Sequence, residues 1–407
     1  MAEMSLLRTA MEQYVCSANE AITMKLVRTP ADIDDDDKNF CPEFTHQIFG
    51  QNENIFGYKD LKIHLYYSAA QLNYYLSKSC SEKVDPARYD GVQADDVTRM
   101  IIEKLGIHPM DNLESFVTSL GKESNFTPSG MMLHSYKTHK DGVDQQFEIY
   151  KVDMSVAGFR EYHEKLQTFL WWFIDAVSYI DVDDDRWQFY LLFEKFTVDG
   201  AARYSIVGYS TVYKYYAYPN KIRPRVSQML VLPPYQRQGH GAQLLETIYI
   251  DYRQDLDVLD ITVEDPSDDF IRLRDFVDCK ACMHLSSFSP ECLHQGFSDQ
   301  MVQEAQEKLK INKKQTRRIY EILRLRVTDE SNSEQFKQYR LDIKKRLNMP
   351  YQKEKSDLEK MRKVLKPEEL AATMAGHSLQ ERHQNLEKMF QEQMEDYRKI
   401  VERLAML

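Results

Sequence analysis

Nowhere in the 407 residues does an apolar run approach the roughly 18 uninterrupted positions of a membrane span, so no spanning helix is expected. The first residues, MAEMSLLRTAMEQ, hold two glutamates and no apolar stretch closed by small side chains, and do not read as a secretory signal. Cysteine is scarce. Six of them (Cys16, Cys41, Cys80, Cys279, Cys282 and Cys292) spread over this length make no disulfide framework and suit a reducing compartment, nuclear and cytoplasmic. The loop G-x-x-x-x-G-K-[ST] is missing. G-x-G-x-x-G fails too, because Gly239 and Gly241 have no third glycine at the required place.

What is there is an ordinary globular balance, 43% hydrophobic and 29% charged, in a chain long enough for two or three domains. The net charge of −11 is unevenly spread. Residues 301–407 hold 24 Lys+Arg against 18 Asp+Glu, which leaves −17 on residues 1–300. An acidic body favours a cationic partner and disfavours nucleic acid, although excess acid also simply keeps a protein soluble.

Residues 1–124 mix short strands with helical pieces, and the DDDDK string at 34–38 reads as a solvated acidic loop. From 158 to 180, Phe159, Tyr162, Leu166, Phe169, Leu170, Phe173 and Val177 recur at helical spacing and predict one long amphipathic helix, closed by the acidic turn 181–185. Strands are expected at 187–197 and 203–218, joined through the hairpin signal Asp199-Gly200. Another at 226–232 stops at Pro233-Pro234, since proline donates nothing to a sheet ladder. A glycine-containing turn leads into a helix at 241–254, and 258–264 alternates as a strand with Asp260, Thr262 and Glu264 on its polar row. Beyond Pro266 the chain reads as helical. There is neither Gly nor Pro between 297 and 349, and 351–407 is further charged helix broken near Pro367 and Gly376. The expected fold class is α+β, with domains at 1–124 (mixed), 125–265 (a mixed β-sheet flanked by helices) and 266–330 (helical). Residues 331–407 form a charged helical tail whose composition also allows partial disorder.

A strand, a glycine turn and a helix start make a generic pyrophosphate cradle, because the first helix N–H groups are unpaired. Here that turn is Gln236, Arg237, Gln238, Gly239, His240, Gly241, Ala242. It resembles the Q/R-x-x-G-x-G/A signature of the Gcn5-related N-acetyltransferase (GNAT) superfamily. REYHEKLQTF, IDVDDDRW, TVYKYYAYP, RPRVSQMLVLPPYQRQGHGAQLLE, LDITVEDPS, LRDFV, YEILRL and YRLDIKKRL, spread over nearly the whole chain, resemble the type B histone acetyltransferases within it. That resemblance implies acetyl-CoA as cosubstrate and no metal. It also implies lysines of the N-terminal tail of newly made histone H4 as acceptors, with histone H3 in a soluble complex, and a WD40 histone chaperone as partner. The 125–265 domain would then be the acetyl-CoA-binding catalytic one, with 1–124 contributing to tail binding.

A lysine ammonium cannot attack a thioester, and removing its proton at pH 7 costs about 4–5 kcal/mol. A carboxylate acceptor is therefore needed. The family's ED-P motif implies Glu264 as that base, supported by Asp265 and by Asp175, where relatives look like glutamate. Strand residues Met229, Leu230 and Val231 would give backbone groups to the acetyl and pantetheine portion, with Ser267 near the pantetheine arm. For the tail, the resemblance points to Trp187, Tyr213, Lys214 and Tyr215, whose aromatic faces suit a lysine stem. It points also to Gln51, Asn52 and Glu53, a segment expected to be more acidic in relatives.

Cys279-x-x-Cys282 with His284, Cys292 and His294 invites a zinc reading, but the pair falls inside a continuous helical pattern at 270–285. Asp181, Asp183 and Asp185 imitate a calcium loop, yet Arg186 replaces its glycine and Leu192 its final glutamate. The basic run 308–318 fits an import patch or one face of a solvated helix. Two other functions keep the fold: transfer to another basic protein or small amine, and an acetyl-CoA-binding scaffold for a histone chaperone.

Overall fold

Ile63, Leu65 and Tyr67 alternate with His64 and Tyr66, and in the computed structural model the first three are fully buried. They lie in a three-stranded sheet: β1 (Ile22–Val27) runs parallel to β2 (Lys62–Ser68), and β3 (Tyr74–Ser79) closes it antiparallel. Helices α1 (Val97–Leu105) and α2 (Leu113–Leu120) start at Asp96 and Asn112, whose side chains accept the amides of Arg99 and Ser115. Val27, Phe116 and Leu120 pack together as one buried cluster. The structure describes residues 11–89, 91–140, 142–361 and 379–406. They fall into two units: Met1–Tyr215 with Pro224–Asp251, and Tyr216–Arg223 with Tyr252–Leu407.

The first unit's larger sheet holds β4 (Met131–Lys140), β5 (Val143–Val152), β6 (Trp187–Val198), β7 (Ala201–Ala217) and β8 (Lys221–Val231), in spatial order β8-β7-β6-β5-β4. The β6–β7 hairpin forms where expected. Asp199 (φ 51°) and Gly200 (φ 77°) both take the left-handed conformation that suits a two-residue turn between twisted strands. Leu192 pairs with Gly208 but Phe193 pairs with Ile206, so Val207 is an extra residue, a β-bulge. Beside it, a Cβ on Gly208 would stand 2.3 Å from the Leu230 carbonyl oxygen of β8. Gly208→Ala is expected to destabilise the first unit by about 1–3 kcal/mol, the range for overpacking. A lowered urea midpoint at unchanged slope checks it.

The long helix expected at 158–180 is not one helix. The chain forms α3 (Phe159–Leu166), a 3₁₀ turn Gln167–Phe169 and α4 (Leu170–Phe173), then leaves helical geometry at Ile174 (φ −127°, ψ 120°). Burial and long-range hydrogen bonding explain the break. Phe169 to Phe173 are all buried, so no polar face exists there, and the Trp172 carbonyl accepts the amides of Glu43 (2.8 Å) and Phe44 (3.0 Å). Asp175 consequently sits in a turn, not on a helix.

In the second unit, Ile222 bridges Val258 in parallel, and the expected strand at 258–264 shortens to β9 (Thr262–Val263). Asp260, on the expected polar row, is 4% exposed because Arg223 covers it, Nη2 donating to Oδ2 at 3.0 Å. Helices follow: α5 (His240–Arg253), shared with the first unit, then α6 (Asp268–Cys282), α7 (Pro290–Gln295), α8 (Asp299–Leu309), α9 (Lys313–Val327), α10 (Ser333–Leu347), α11 (Met349–Met361) and α12 (Leu379–Leu404). The Gly- and Pro-free stretch 297–349 is thus three helices. Lys310 in left-handed geometry and the N-caps Asn312 and Asn332 divide them. Cys279 and Cys282 are buried on α6. Arg317 and Arg318 of the basic run turn into ion pairs with Glu321 and Asp275, leaving Lys308 and Lys313 outside. The breaks expected near Pro367 and Gly376 lie outside the described residues. No helix among the described residues is long and apolar enough to cross a membrane.

Candidate functional site

The segment after β8 is built to expose a helix start. Pro233–Tyr235 makes one 3₁₀ turn, Gln236 is extended, Arg237 (φ 60°) and Gly239 (φ 90°) reverse the chain, and α5 begins at His240. Its first turn contains no acidic residue, so the positive end of the helix dipole is not neutralised from within. Gln236 folds its side-chain amide back onto the Val231 carbonyl and Gln238 onto that of Pro234, both at 2.9 Å. Gln236, Arg237 and Gly239 are exposed, while Gln238, Gly241 and Ala242 are half-buried. A Cβ on Gly239 would meet nothing within 4 Å, which leaves open space above the turn. These features fit an anion, with Arg237 as the added positive charge. On β8, Leu230 is buried and Met229 and Val231 are half-buried on the opposite row.

His240 offers this turn its backbone only. Its imidazole is 1% exposed, with Nδ1 2.8 Å from the Tyr136 hydroxyl and its ring 4.2 Å from that of Phe147. Burial pushes its pKa down to about 4, and burial does the same to His163 on α3. The unfolded chain protonates both below about 6.5. Between there and about 4 it binds more protons than the folded state, so the stability, fully present above about 6.5, is lost as pH falls through that window. The urea midpoint is expected to drop between pH 7.5 and 5.0, and His163→Phe to flatten the slope; a variant with the wild-type slope rules this origin out.

A second group lies on β6 and β7. Trp187 pairs across the strands with Tyr213, ring centres 4.8 Å apart, and Tyr213 meets Tyr215 at 4.6 Å. Two aromatic faces already carry cations of this chain: Arg186 lies 4.8 Å over Tyr213, and Arg225 of β8 lies 4.5 Å over Tyr215. The Tyr213 hydroxyl donates to Asp184 (2.8 Å), whose carboxyl Arg186 holds well below the usual range. Lys214 is half-buried, its amide donating to the Arg186 carbonyl. Neither arginine was anticipated, although Arg225 shares the two-residue period of Met229 and Val231.

The third group joins two segments far apart in the chain. His46 places Nε2 3.3 Å from Asp175 Oδ1 and Nδ1 3.7 Å from Glu53 Oε1. Glu53 is held below the usual carboxylate range by the Thr45 amide above all, aided by Asn19 and the His46 amide. The Gln47 side chain clasps the Val177 backbone from both sides, at 2.9 and 3.0 Å. From β8, Gln228 reaches the Ser178 carbonyl at 3.1 Å. Asp175 and Glu53 are therefore neighbours through His46, a residue marked in sequence only by its closeness to Gln51 and Asn52, which are exposed.

In the second unit, Glu264 and Asp265 directly follow β9 and are exposed, Asp265 with φ 30°. Ser267 caps α6, its hydroxyl accepting the Phe270 amide at 3.3 Å. Among the described residues, no three His, Cys, Asp or Glu side chains gather as a metal site.

Two family models match this chain. One, described as "Histone acetyl transferase HAT1 N-terminus", matches residues 14–175, and one described as "Histone acetyltransferase type B catalytic subunit, C-terminal" matches residues 274–325. A Homo sapiens protein named "Histone acetyltransferase type B catalytic subunit" is 53% identical over 395 residues, covering 97% of this chain and 94% of that protein. The Rattus norvegicus protein of that name is 52% identical with the same coverage. A Dictyostelium discoideum relative is 34% identical over 383 residues, covering 86% of this chain and 80% of that protein.

Proposed function

This chain belongs to the type B histone acetyltransferase catalytic subunits, a family that uses acetyl-CoA, and on that premise we propose that it acetylates lysines in the N-terminal tail of newly made, soluble histone H4. The observation that carries the reading is the turn 236–239, which presents a helix start with no acidic residue in its first turn beside an exposed Arg237. Gln236 to Ala242 hold the pyrophosphate, and the β8 backbone at Met229 to Val231 receives the pantetheine. When bound, acetyl-CoA supplies a thioester acetyl group.

The chain's own task is to take a proton from the acceptor ammonium. Glu264 is the proposed base by its ED-P segment, with Asp265 and the Asp175–His46–Glu53 set as further carboxylates. An acidic first 300 residues suits a basic tail, and the ladder of Trp187, Tyr213 and Tyr215 suits a lysine stem. A soluble H3–H4 complex, a WD40 chaperone and a nuclear and cytoplasmic location complete the proposal. The test is transfer of radiolabelled acetyl from acetyl-CoA to an H4 tail peptide, beside a simple polyamine. Transfer to the peptide supports it; polyamine preference, or acetyl-CoA binding without transfer, rejects it.

A further inference from the structure

The turn 236–239 is suspended between two buried residues, Tyr235 at 6% exposure and His240 at 1%. His240 is fixed by Tyr136, as described. Tyr235 is fixed by charge. Its hydroxyl accepts from Arg28 Nη2 at 2.6 Å, donates to Glu194 Oε2 at 3.0 Å and lies 2.9 Å from Ser205 Oγ. The Arg28 guanidinium in turn pairs with both Glu194 oxygens, and its central carbon lies 4.6 Å from the Phe196 ring centre. Glu194 is 3% exposed and Ser205 fully buried, so Arg28, which is half-buried, reaches from the surface to a buried carboxylate.

Arg28 is itself held in place. It follows β1, and its amide donates to Asp32 Oδ2 at 2.7 Å, as does that of Thr29 at 3.0 Å. Asp32 is buried just before the acidic loop and pairs with its Lys38. A run of contacts therefore leads from Asp32 through Arg28 and Glu194 to Tyr235, the residue immediately before the exposed turn. All of it lies within the first unit.

An ion pair in such a place is a weak source of stability, since desolvation offsets its attraction. What it does supply is geometry. The Tyr235 ring cannot slide or rotate without breaking contacts to two charged partners, and the backbone after it inherits that restraint. A binding turn that is already ordered loses less conformational freedom when its ligand arrives.

We propose that Arg28, Glu194 and Tyr235 are positioning residues for the acetyl donor, fixing the entry to the turn 236–239 so that the amides of α5 stand ready for a pyrophosphate. The inference rests on the reading of residues 236–242 as the cofactor cradle. It makes acetyl-CoA affinity depend on an arginine some 200 positions upstream of the turn, near the start of the chain.

The test uses the full chain with acetyl-CoA binding by calorimetry and steady-state transfer to the H4 tail peptide. Tyr235→Phe removes one oxygen and keeps the ring. It is expected to weaken acetyl-CoA binding about tenfold, the equivalent of one buried hydrogen bond, with peptide KM and kcat at saturation within about twofold of wild type. Arg28→Lys, which keeps the charge but not the fork, is expected to shift the same constant in the same direction, and it decides the matter should Tyr235→Phe not fold. Gly239→Ala is the control, because φ 90° resists any side chain. Wild-type acetyl-CoA affinity in Tyr235→Phe and Arg28→Lys, whatever their melting temperatures, overturns the inference if Gly239→Ala binds weakly. Wild-type affinity in Gly239→Ala overturns the cradle reading itself.

Discussion

Glu264→Gln is expected to lower kcat for transfer to an H4 tail peptide by about 10²–10⁴, the usual contribution of a positioned proton acceptor. The amide keeps the size of the carboxylate and loses its basicity, so acetyl-CoA affinity measured on the same variant should stay within about twofold of wild type. Glu264 follows a two-residue strand and is exposed, so its replacement should leave the melting temperature nearly unchanged. Turnover within threefold of wild type would remove Glu264 as the base. The carboxylates of Asp265 and Asp175 would then be tested by the same substitution, to asparagine.

The largest stability effect is expected at Glu321. This carboxylate on α9 is fully buried and accepts from Arg317 (2.8 Å), from two nitrogens of Arg346 on α10 (2.6 and 2.8 Å) and from the Tyr397 hydroxyl on α12 (2.9 Å). Arg317 also pairs with Asp342 (2.9 Å), and three helices meet on Glu321. Glu321→Ala leaves the Arg346 guanidinium and the Tyr397 hydroxyl without their buried carboxylate acceptor, at an expected cost of about 3–5 kcal/mol to the second unit. Hydrogen exchange should report it as lost protection across α9, α10 and α12 together, while β4 to β7 keep theirs. Unchanged protection in α12 would show that its docking does not depend on this node.

Local rules served well where local geometry decides. The Asp199-Gly200 turn, the proline stop after β8 and the helix start at the Gly239 turn all formed within a residue or two of expectation, because each depends on the φ preferences of a few adjacent residues. The stretch 158–180 went otherwise. Its helical spacing continued to Val177, but Trp171 and Trp172 drive the segment into the core and amides from residues 43 and 44 take the carbonyl that another helical turn would need. Asp260 was hidden for a related reason: its cover, Arg223, comes from 37 positions away. On the candidate site, the cradle was legible as a motif, whereas its supports were not. Arg28, Glu194 and His46 stand in segments with no periodic or spacing signal to join them to residues 235 or 175, and only the folded chain makes them neighbours.

The bulge at Val207 bears on how this gene can vary. Side chains along a strand alternate between faces and cross-strand partners share a face, so the bulge is where the ladder absorbs one extra residue. Deleting Val207 would leave Phe193 opposite Ile206 and Leu192 opposite Gly208, and every remaining side chain would keep its face at the loss of one buried valine. Deleting Ser205 instead would draw Ile206 into the place opposite Glu194, the polar position that Ser205 fills beside Tyr235, and would take the Ile206 amide from the Ala69 carbonyl it holds at 2.9 Å. An in-frame loss at the bulge therefore exchanges no faces, whereas one two residues earlier does, a contrast that a deletion scan with a folding reporter would display residue by residue.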